Sequence, residues 1–188
     1  MNPMSLHHES QSMKIAQRFK ALPVAAVVAM AAIATLAVAQ APGMTSGPSG
    51  TRRALLICID DYRAVQGLMG AENDVRTLRE ALRQHWGFED RNIQTVLNQQ
   101  ATRAGILAAL GQLVKQASAG DFVYVHYSGH GSQVRDRNKD EPDGLDETLV
   151  PHDGRTPGVR DITDDELDAV FARLQARSAV IVLDSCHS

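Results

Sequence analysis

The chain has 188 residues, of which 44% are hydrophobic, 22% charged and only 4% aromatic. This apolar fraction is typical of a globular protein and excludes disorder over most of the length. Nineteen basic residues against 22 acidic ones give a net charge of −3, so the composition provides no support for nucleic-acid binding. The two cysteines exclude a disulfide-rich scaffold.

The N-terminal region has the layout of an export signal. Basic residues lie within residues 1–20, an uncharged run rich in Ala and Val covers 21–39, and the run ends in the A-x-A pattern. We predict a cleaved signal peptide over 1–39 and an exported protein, periplasmic or extracellular. A retained membrane anchor is the alternative, because the run approaches the roughly 20 residues that span a bilayer. A buried core helix fits poorly, since the run has no polar face. Residues 40–51, rich in Pro, Gly and Ser, are predicted to form a flexible linker.

From residue 52 to residue 188, short apolar runs alternate with amphipathic segments, which predicts one α/β domain. Such alternation favours right-handed crossovers and a parallel sheet with helices on both faces. The predicted strands are 54–60, 93–97, 122–127 and 179–183. Three helices are predicted: one over 71–86, one with Thr102 as its N-cap, and one that begins at the capping box Thr163–Glu166.

In parallel sheets of this kind, functional residues lie just beyond the carboxyl ends of the strands. Strand three is followed by His130, which lies between Gly129 and Gly131, and strand four by Cys186. The glycines lack side-chain bulk and allow unusual backbone angles, which would present the imidazole to a cleft. His130 could then act as general base and acid for a Cys186 nucleophile. The alternatives are a buried core cysteine and a simply exposed histidine.

Three motifs resemble those of metacaspases, which are caspase-like cysteine peptidases. The motifs are His126–Ser132 (HYSGHGS), Asp143–Thr148 (DGLDET) and Asp184–Ser188 (DSCHS). The resemblance covers about residues 52–188, the region of the large catalytic subunit. It implies a three-layer α/β/α sandwich of caspase–hemoglobinase type with a mostly parallel sheet. It also implies peptide hydrolysis after Arg or Lys by Cys186 and His130, with no cofactor required for the chemistry.

The resemblance places the basic side chain of the substrate against Asp74, Ser128 and Asp184. A carboxylate is the partner that arginine and lysine side chains require, and arginine can bind it through two hydrogen bonds. For Asp74 an equally good alternative is an acid in the first turn of its helix, where it complements the helix dipole.

Residues 135–168 are strongly acidic, and the resemblance implies calcium as an activator. The candidate ligands are Asp146, Asp164 and Asp165, while the alternative is a solvated loop with helix-capping acids. An EF-hand is not expected, because Glu141 stands where that loop requires glycine. A zinc site is a weaker rival, with His126, His130, Cys186 and His187 as its conceivable ligands.

The sequence departs from the family pattern in two respects. Many members carry a second cysteine where this chain has Ala71, and Cys58 instead lies in strand one, where we expect a core residue. The chain also ends two residues after Cys186, whereas the family continues with a small subunit. We therefore expect a C-terminally incomplete domain whose partner is the missing segment. The rival classes are a non-catalytic binding module, an inactive truncated fragment and another cysteine hydrolase such as an amidase.

Overall fold

The computed structural model describes residues 50–185, so the predicted signal peptide and Cys186 lie outside the described residues. Within this range the chain forms strands in two sheets and three α-helices. The strands are β1 (Arg52–Cys58), β2 (Ile93–Leu97), β3 (Phe122–Ser128), β4 (Gly131–Arg135), β5 (Leu145–Leu149), β6 (Ile162–Thr163) and β7 (Ser178–Asp184). The helices are α1 (Ala71–His85), α2 (Arg103–Gln116) and α3 (Asp164–Phe171).

The main sheet has four parallel strands in the order β2-β1-β3-β7. This confirms the predicted parallel α/β sheet, and each predicted strand is present with its bounds shifted by at most two residues. Each connection between successive strands of this sheet returns the chain to the same end of the sheet, as parallel pairing requires. The carboxyl ends of β1, β3 and β7 are therefore neighbours.

Both faces of the main sheet are packed, which explains why β1 reads as a continuous apolar run. Leu55 and Ile57 belong to the larger core cluster, which includes residues of α2 and α3. Leu56 and Cys58 belong to a second cluster on the opposite face, with Val75 and Leu82 of α1. Because side chains alternate along a strand, the odd-numbered apolar residues of β1 pack against α2 and α3, and the even-numbered ones pack against α1. The three layers are thus a helix layer, the sheet and a second helix layer.

The helix ends combine local and distant caps. The Thr102 side chain accepts from the Gly105 N–H at the start of α2, and Thr163 and Glu166 form the predicted capping box of α3. Helix α1 begins differently, because its N-cap residue Gly70 has no side chain. Instead, the Asp60 carboxylate accepts from the N–H groups of Ala71 and Glu72. The first turn of α1 is thereby held beside the carboxyl end of β1.

A second sheet, antiparallel in the order β4-β5-β6, was not predicted from the sequence. Its strands are two to five residues long and rich in polar residues, so they lack the apolar run of a buried strand. Buried Asp161 stabilises this region by accepting from Arg155, which also donates to Ser132 at 2.6 Å. Within residues 50–185, no helix is both long enough and apolar enough to cross a membrane.

Candidate active site

His130 lies immediately after β3, where the chain leaves the main sheet and begins β4. Its backbone N–H donates to the Tyr62 hydroxyl at 2.7 Å, and its carbonyl accepts from the Val150 N–H at 3.0 Å. The Tyr127 hydroxyl, which is fully buried, donates to the same carbonyl at 2.8 Å. Both backbone groups of His130 are held by neighbouring elements, and these contacts fix the position from which the imidazole projects.

The His130 imidazole is oriented by one hydrogen bond. Its Nε2 lies 2.8 Å from the backbone carbonyl of Gln66. A carbonyl can only accept, so this contact assigns a proton to Nε2, and in the neutral imidazole the lone pair then lies on Nδ1. Nδ1 is buried and has no hydrogen-bond partner among residues 50–185. The Tyr62 ring packs against the imidazole with centroids 4.9 Å apart. This imidazole is therefore a preformed proton acceptor at Nδ1.

Gly129 is required for steric reasons. A Cβ at this position would lie 2.6 Å from the Tyr62 hydroxyl oxygen and 2.7 Å from that of Tyr127. The expectation of unusual backbone angles was wrong, because neither Gly129 nor Gly131 has a positive φ. The absence of a side chain, and not an unusual conformation, lets the two tyrosines approach the His130 backbone.

Sequence reasoning did not find Tyr62, Tyr127 or the Gln66 carbonyl as parts of the site. Tyr62 follows the predicted end of strand one, so the strand-end rule indicated its neighbourhood but not its role. The segment 59–70 has no helix or strand periodicity that would have shown where its carbonyls point. Tyr127 reads in the sequence as an ordinary apolar strand residue.

Cys186 lies just outside the described residues, and its role stays a prediction. The structure describes the chain up to Ser185, after β7 ends at Asp184. Strand β7 pairs with β3, and the Asp184 carbonyl accepts from the Gly129 N–H at 3.3 Å. The backbone two residues before Cys186 is therefore hydrogen-bonded to the residue before His130.

The three residues predicted to bind a basic side chain are placed at one end of the main sheet. Ser128 is the last residue of β3 and is buried, and it pairs with Asp184, the last residue of β7. The two side chains therefore project from the same face of the sheet. Asp74 is exposed in the first turn of α1, which packs on that same face. Its alternative role as a first-turn acid fits this position equally well.

His126 lies within electrostatic range of both carboxylates. It is two residues before Ser128 on β3 and therefore on the same face of the sheet. Burial lowers the pKa of His126, while the charges of Asp184 and Asp74 act in the opposite direction without reversing the shift. A single imidazole thus feels both carboxylates, one from β7 and one from α1.

Cys58 has the character of a core residue. It is fully buried at the end of β1, and burial together with nearby carboxylates, Asp60 first, raises the pKa of its thiol to about 12. At neutral pH the side chain is therefore a thiol and a poor nucleophile.

The acidic region contains two clusters of carboxylates. In each cluster one oxygen from every residue lies within 4.8 Å of the others; the first is Asp136, Asp140 and Asp146, and the second is Glu141, Glu147 and Asp164. Asp146 is only 5% exposed, and its Oδ1 has no hydrogen-bond partner among the described residues. A buried carboxylate oxygen without a donor is costly, and a bound cation removes that cost.

The predicted ligands Asp146, Asp164 and Asp165 do not form one cluster, because Asp146 lies in the first and Asp164 in the second. Asp165 belongs to neither cluster, although its carboxylate accepts from Asn138 at 2.7 Å. Burial, followed by Glu147 and Asp146 among the like charges, raises the pKa of Asp164 to about 6. Burial and surrounding carboxylates likewise raise the pKa values of Asp146 and Asp165.

The EF-hand pattern does not form a single ligand set among the described residues. Asp136 and Glu147, the first and last positions of the rejected EF-hand pattern, fall in different clusters. The Asp136 carboxylate instead accepts from the N–H groups of Asn138, Lys139 and Glu141. Neither cluster among residues 50–185 contains a histidine. Two of the four conceivable zinc ligands, Cys186 and His187, lie outside the described residues, so the zinc alternative stays a prediction.

A parallel sheet with helices on both faces, and an anchored histidine beyond its third strand, define a caspase-like α/β protein. A solved structure, protein GSU0716 from Geobacter sulfurreducens, is similar to this chain with a TM-score of 0.59 and 32% sequence identity. The similarity covers 73% of this chain and 51% of that one.

Residues 52–188 match the family model described as the metacaspase, peptidase C14 domain. Metacaspase III c of Phaeodactylum tricornutum is 38% identical over 148 residues, which are 74% of this chain and 43% of that protein. Metacaspase-1 of Ajellomyces capsulatus is 40% identical over 151 residues, 76% of this chain and 42% of that protein. The chain belongs to the metacaspase family, and it spans about two fifths of the length of these two relatives.

Proposed function

We propose that the protein is a cysteine endopeptidase in which Cys186 is the nucleophile and His130 the general base and acid. The observation that carries this proposal is the His130 imidazole, anchored at Nε2 by the Gln66 carbonyl and unpartnered at its buried Nδ1 among the described residues. A base must be held in one tautomer with its acceptor atom free, and this imidazole meets both conditions.

The reaction follows from these groups. His130 Nδ1 accepts the proton of the Cys186 thiol, and the thiolate attacks the carbonyl carbon of the scissile peptide bond. The C–N bond then breaks, and the departing amine takes the proton from Nδ1. In the second half, Nδ1 accepts a proton from water as the hydroxyl group attacks the thioester. The C–S bond then breaks, the Cys186 thiolate takes the proton back from Nδ1, and the carboxylic acid product loses its proton to water.

The proposed substrates are proteins or peptides with Arg or Lys before the scissile bond. Two carboxylates, Asp184 and Asp74, lie on the face of the sheet that carries Ser128, and the charges of both reach His126. A cationic side chain entering between them would gain an opposite charge on each side, whereas an acidic side chain would be repelled.

Calcium is proposed as an activator and not as a participant in the reaction. Asp146 offers a buried oxygen without a donor, and Asp136 and Asp140 would complete its ligand set. Bound there, calcium would neutralise carboxylates that repel one another and order the loop before β5. Asp164 and the second cluster are the alternative position for the ion.

Export is proposed on the sequence of residues 1–39. We expect the protein made in a Gram-negative host to be recovered from the periplasm with a mature N-terminus at Gln40. Recovery in the membrane with Met1 still present would instead establish the anchor.

The test of the catalytic assignment compares three variants of the whole protein on fluorogenic peptides ending in Arg or Lys. Cys186→Ala should abolish cleavage, and His130→Ala should lower kcat by several orders of magnitude. The matched control is Cys58→Ala, which removes the other thiol and should retain activity once its folding is verified. Full activity in either site variant would exclude the proposed pair.

A further inference from the structure

His126 has a buried polar atom without a hydrogen-bond partner among the described residues. Its Nδ1 is inaccessible to solvent and has no hydrogen-bond partner among residues 50–185. Buried polar atoms of folded proteins nearly always have a partner, and an exception requires an explanation. Its ring stacks on that of Tyr124, with centroids 6.5 Å apart and planes inclined by 5°, which holds the imidazole without satisfying it.

The position of His126 suggests the missing partner. Side chains alternate between the faces of a strand, so His126 and Ser128 project from the same face of β3. They are two residues apart, roughly 7 Å at a rise of about 3.3 Å per residue. On the neighbouring strand, Val182 pairs with His126 and Asp184 with Ser128. His126 therefore lies two residues further from the carboxyl end of the sheet than the pair Ser128 and Asp184. It is on the face covered by α1.

The electrostatics of this position favour a neutral imidazole. Burial lowers the pKa of His126, and the carboxylates of Asp184 on β7 and Asp74 on α1 do not reverse the shift. Two other titratable groups on this face, Cys58 on β1 and Tyr124 on β3, are uncharged at neutral pH, since burial raises their pKa values. A neutral imidazole keeps one nitrogen as a hydrogen-bond acceptor, as a cationic ligand requires.

We propose that His126 forms the inner end of the basic-residue pocket, where it accepts a hydrogen bond from the guanidinium of an arginine substrate and makes the site prefer arginine to lysine. The inference rests on the proposed specificity for basic residues and names a further residue of the same pocket. Guanidinium has five N–H donors in a planar fork, so it can donate to the carboxylates and to the imidazole together. The ammonium of lysine ends a shorter side chain and is a compact charge that the carboxylates alone can satisfy.

The test measures kcat/KM of the whole protein on peptides that differ only in having Arg, Lys or Gln before the scissile bond. His126→Leu should lower the Arg-to-Lys ratio about 10-fold, the usual effect of one hydrogen bond to a charged group. His126→Gln retains an acceptor and should keep most of the ratio. Tyr124→Phe, a change on the same face of β3, is the matched control and should leave the ratio unchanged.

Binding of small probes makes the test independent of turnover. The dissociation constants of n-butylguanidinium, n-pentylammonium and butanamide, which imitate Arg, Lys and Gln side chains, are measured by NMR on the histidine ring resonances. In His126→Leu the affinity for butylguanidinium should fall about 10-fold and that for pentylammonium less than about 2-fold. The melting temperature of His126→Leu should not fall, because the variant removes a buried atom that has no described partner.

The outcomes separate this inference from the proposed specificity. An unchanged Arg-to-Lys ratio in His126→Leu, with both cations weakened by Asp184→Asn, would refute the role of His126 and leave the basic pocket intact. Equal binding of butanamide and the two cations by the unsubstituted protein would refute the basic specificity and the inference with it. A similar loss for all three probes in His126→Leu would mark a structural role and also refute the inference.

Discussion

The site depends at the residue scale on a small number of hydroxyl and carbonyl groups around His130. The Tyr62 hydroxyl accepts the His130 N–H, and the Tyr62 ring packs on the imidazole. The Gln66 carbonyl then selects the tautomer. Tyr62 acts through His130 and touches no reacting atom in this arrangement, so it is a positioning residue.

Replacing Tyr62 by Phe should therefore affect the rate of reaction and not substrate binding. The variant keeps the ring but leaves the His130 N–H without its acceptor, which costs about 1–3 kcal/mol for a buried donor. We expect kcat to fall roughly 10-fold with KM unchanged. Steady-state kinetics measure this split, and alkylation of Cys186 by iodoacetamide should slow in parallel. A rise in KM alone would contradict the positioning role.

Asp184→Ala tests the pocket at the same scale. Asp184 is exposed in the structure, so its pairing with an arginine side chain remains partly solvated. Losing one charge-assisted hydrogen bond should raise the barrier for Arg peptides by about 1.5–3 kcal/mol. Cleavage after Asp should not appear, because the variant supplies no cation. Cys186 should still react with iodoacetamide, which would show that the nucleophile survives. If Asp184→Ala retains the original preference for Arg over Gln, the pocket lies elsewhere.

Single carboxylates join several elements to one another. Asp60 caps α1 from the end of β1, and Asp121 joins the amino ends of three strands of the main sheet. The Asp121 carboxylate accepts from Thr51 N–H at 2.8 Å and from Arg53 Nε at 2.8 Å, while its carbonyl accepts from Arg177 N–H at 2.8 Å. Such a residue contributes to the stability of the sheet on which the site is built.

Asp121→Asn should destabilise the domain in a pH-dependent manner. Burial raises the pKa of Asp121, but hydrogen bonds from Arg53 and two backbone N–H groups outweigh it and hold the pKa below its ordinary value of 3.8. The carboxylate therefore stabilises the folded state above pH 3.8, and this contribution disappears as the pH falls through the lowered folded-state pKa. Loss of the buried pair with Arg53 should cost about 3 kcal/mol at pH 7.

Urea denaturation from pH 7 to pH 2 measures this effect. The free-energy difference between the original chain and Asp121→Asn should be largest at pH 7 and should shrink at acidic pH. The matched control is Asp143→Asn, an exposed aspartate of the loop before β5. A difference that is constant across the pH range would contradict the assigned charge interaction.

On the scale of the whole molecule, His130 and the acidic clusters lie in different parts of one α/β domain. Ser128, His130 and Asp184 lie at the carboxyl ends of the parallel strands β3 and β7, while the acidic clusters lie around the antiparallel sheet. Strand β4 connects them directly, because it begins at Gly131, the residue after His130, and pairs with β5, which carries Asp146. Ordering of the acidic region by a cation would therefore act next to the proposed general base.

Calcium should raise the melting temperature of the chain, and Asp146→Asn should abolish this response. Binding to the folded state alone stabilises it by about 2.7 kcal/mol when calcium is present at 100 times its dissociation constant. Without calcium, Asp146→Asn should melt at a higher temperature, because it removes a buried charge that other carboxylates repel.

The measurement is thermal unfolding followed by circular dichroism, in calcium and in a chelator. Asp143→Asn, outside both clusters, should respond to calcium like the unsubstituted chain. An Asp146→Asn variant that still responds fully would exclude the first cluster as the site. The cysteine peptidase proposal would not be affected by that result.

The elements that could be predicted from the sequence are those encoded by neighbouring residues. The apolar runs of β1 and β3, the N-cap Thr102 and the capping box at Thr163 are local signals, and the structure contains each of them. His130 and Cys186 were also singled out from the chain alone, by their place after predicted strands. Their proposed chemistry needs only residue type and strand order.

Tertiary structure alone decided the features that join distant parts of the chain. The His130 backbone is anchored by Tyr62, 68 residues away, and its ring by Gln66, 64 residues away. The antiparallel sheet and the division of the acidic residues into two clusters depend on the same kind of pairing. Contacts between residues far apart in sequence leave no periodic pattern, because each partner's type is compatible with many other positions in a fold.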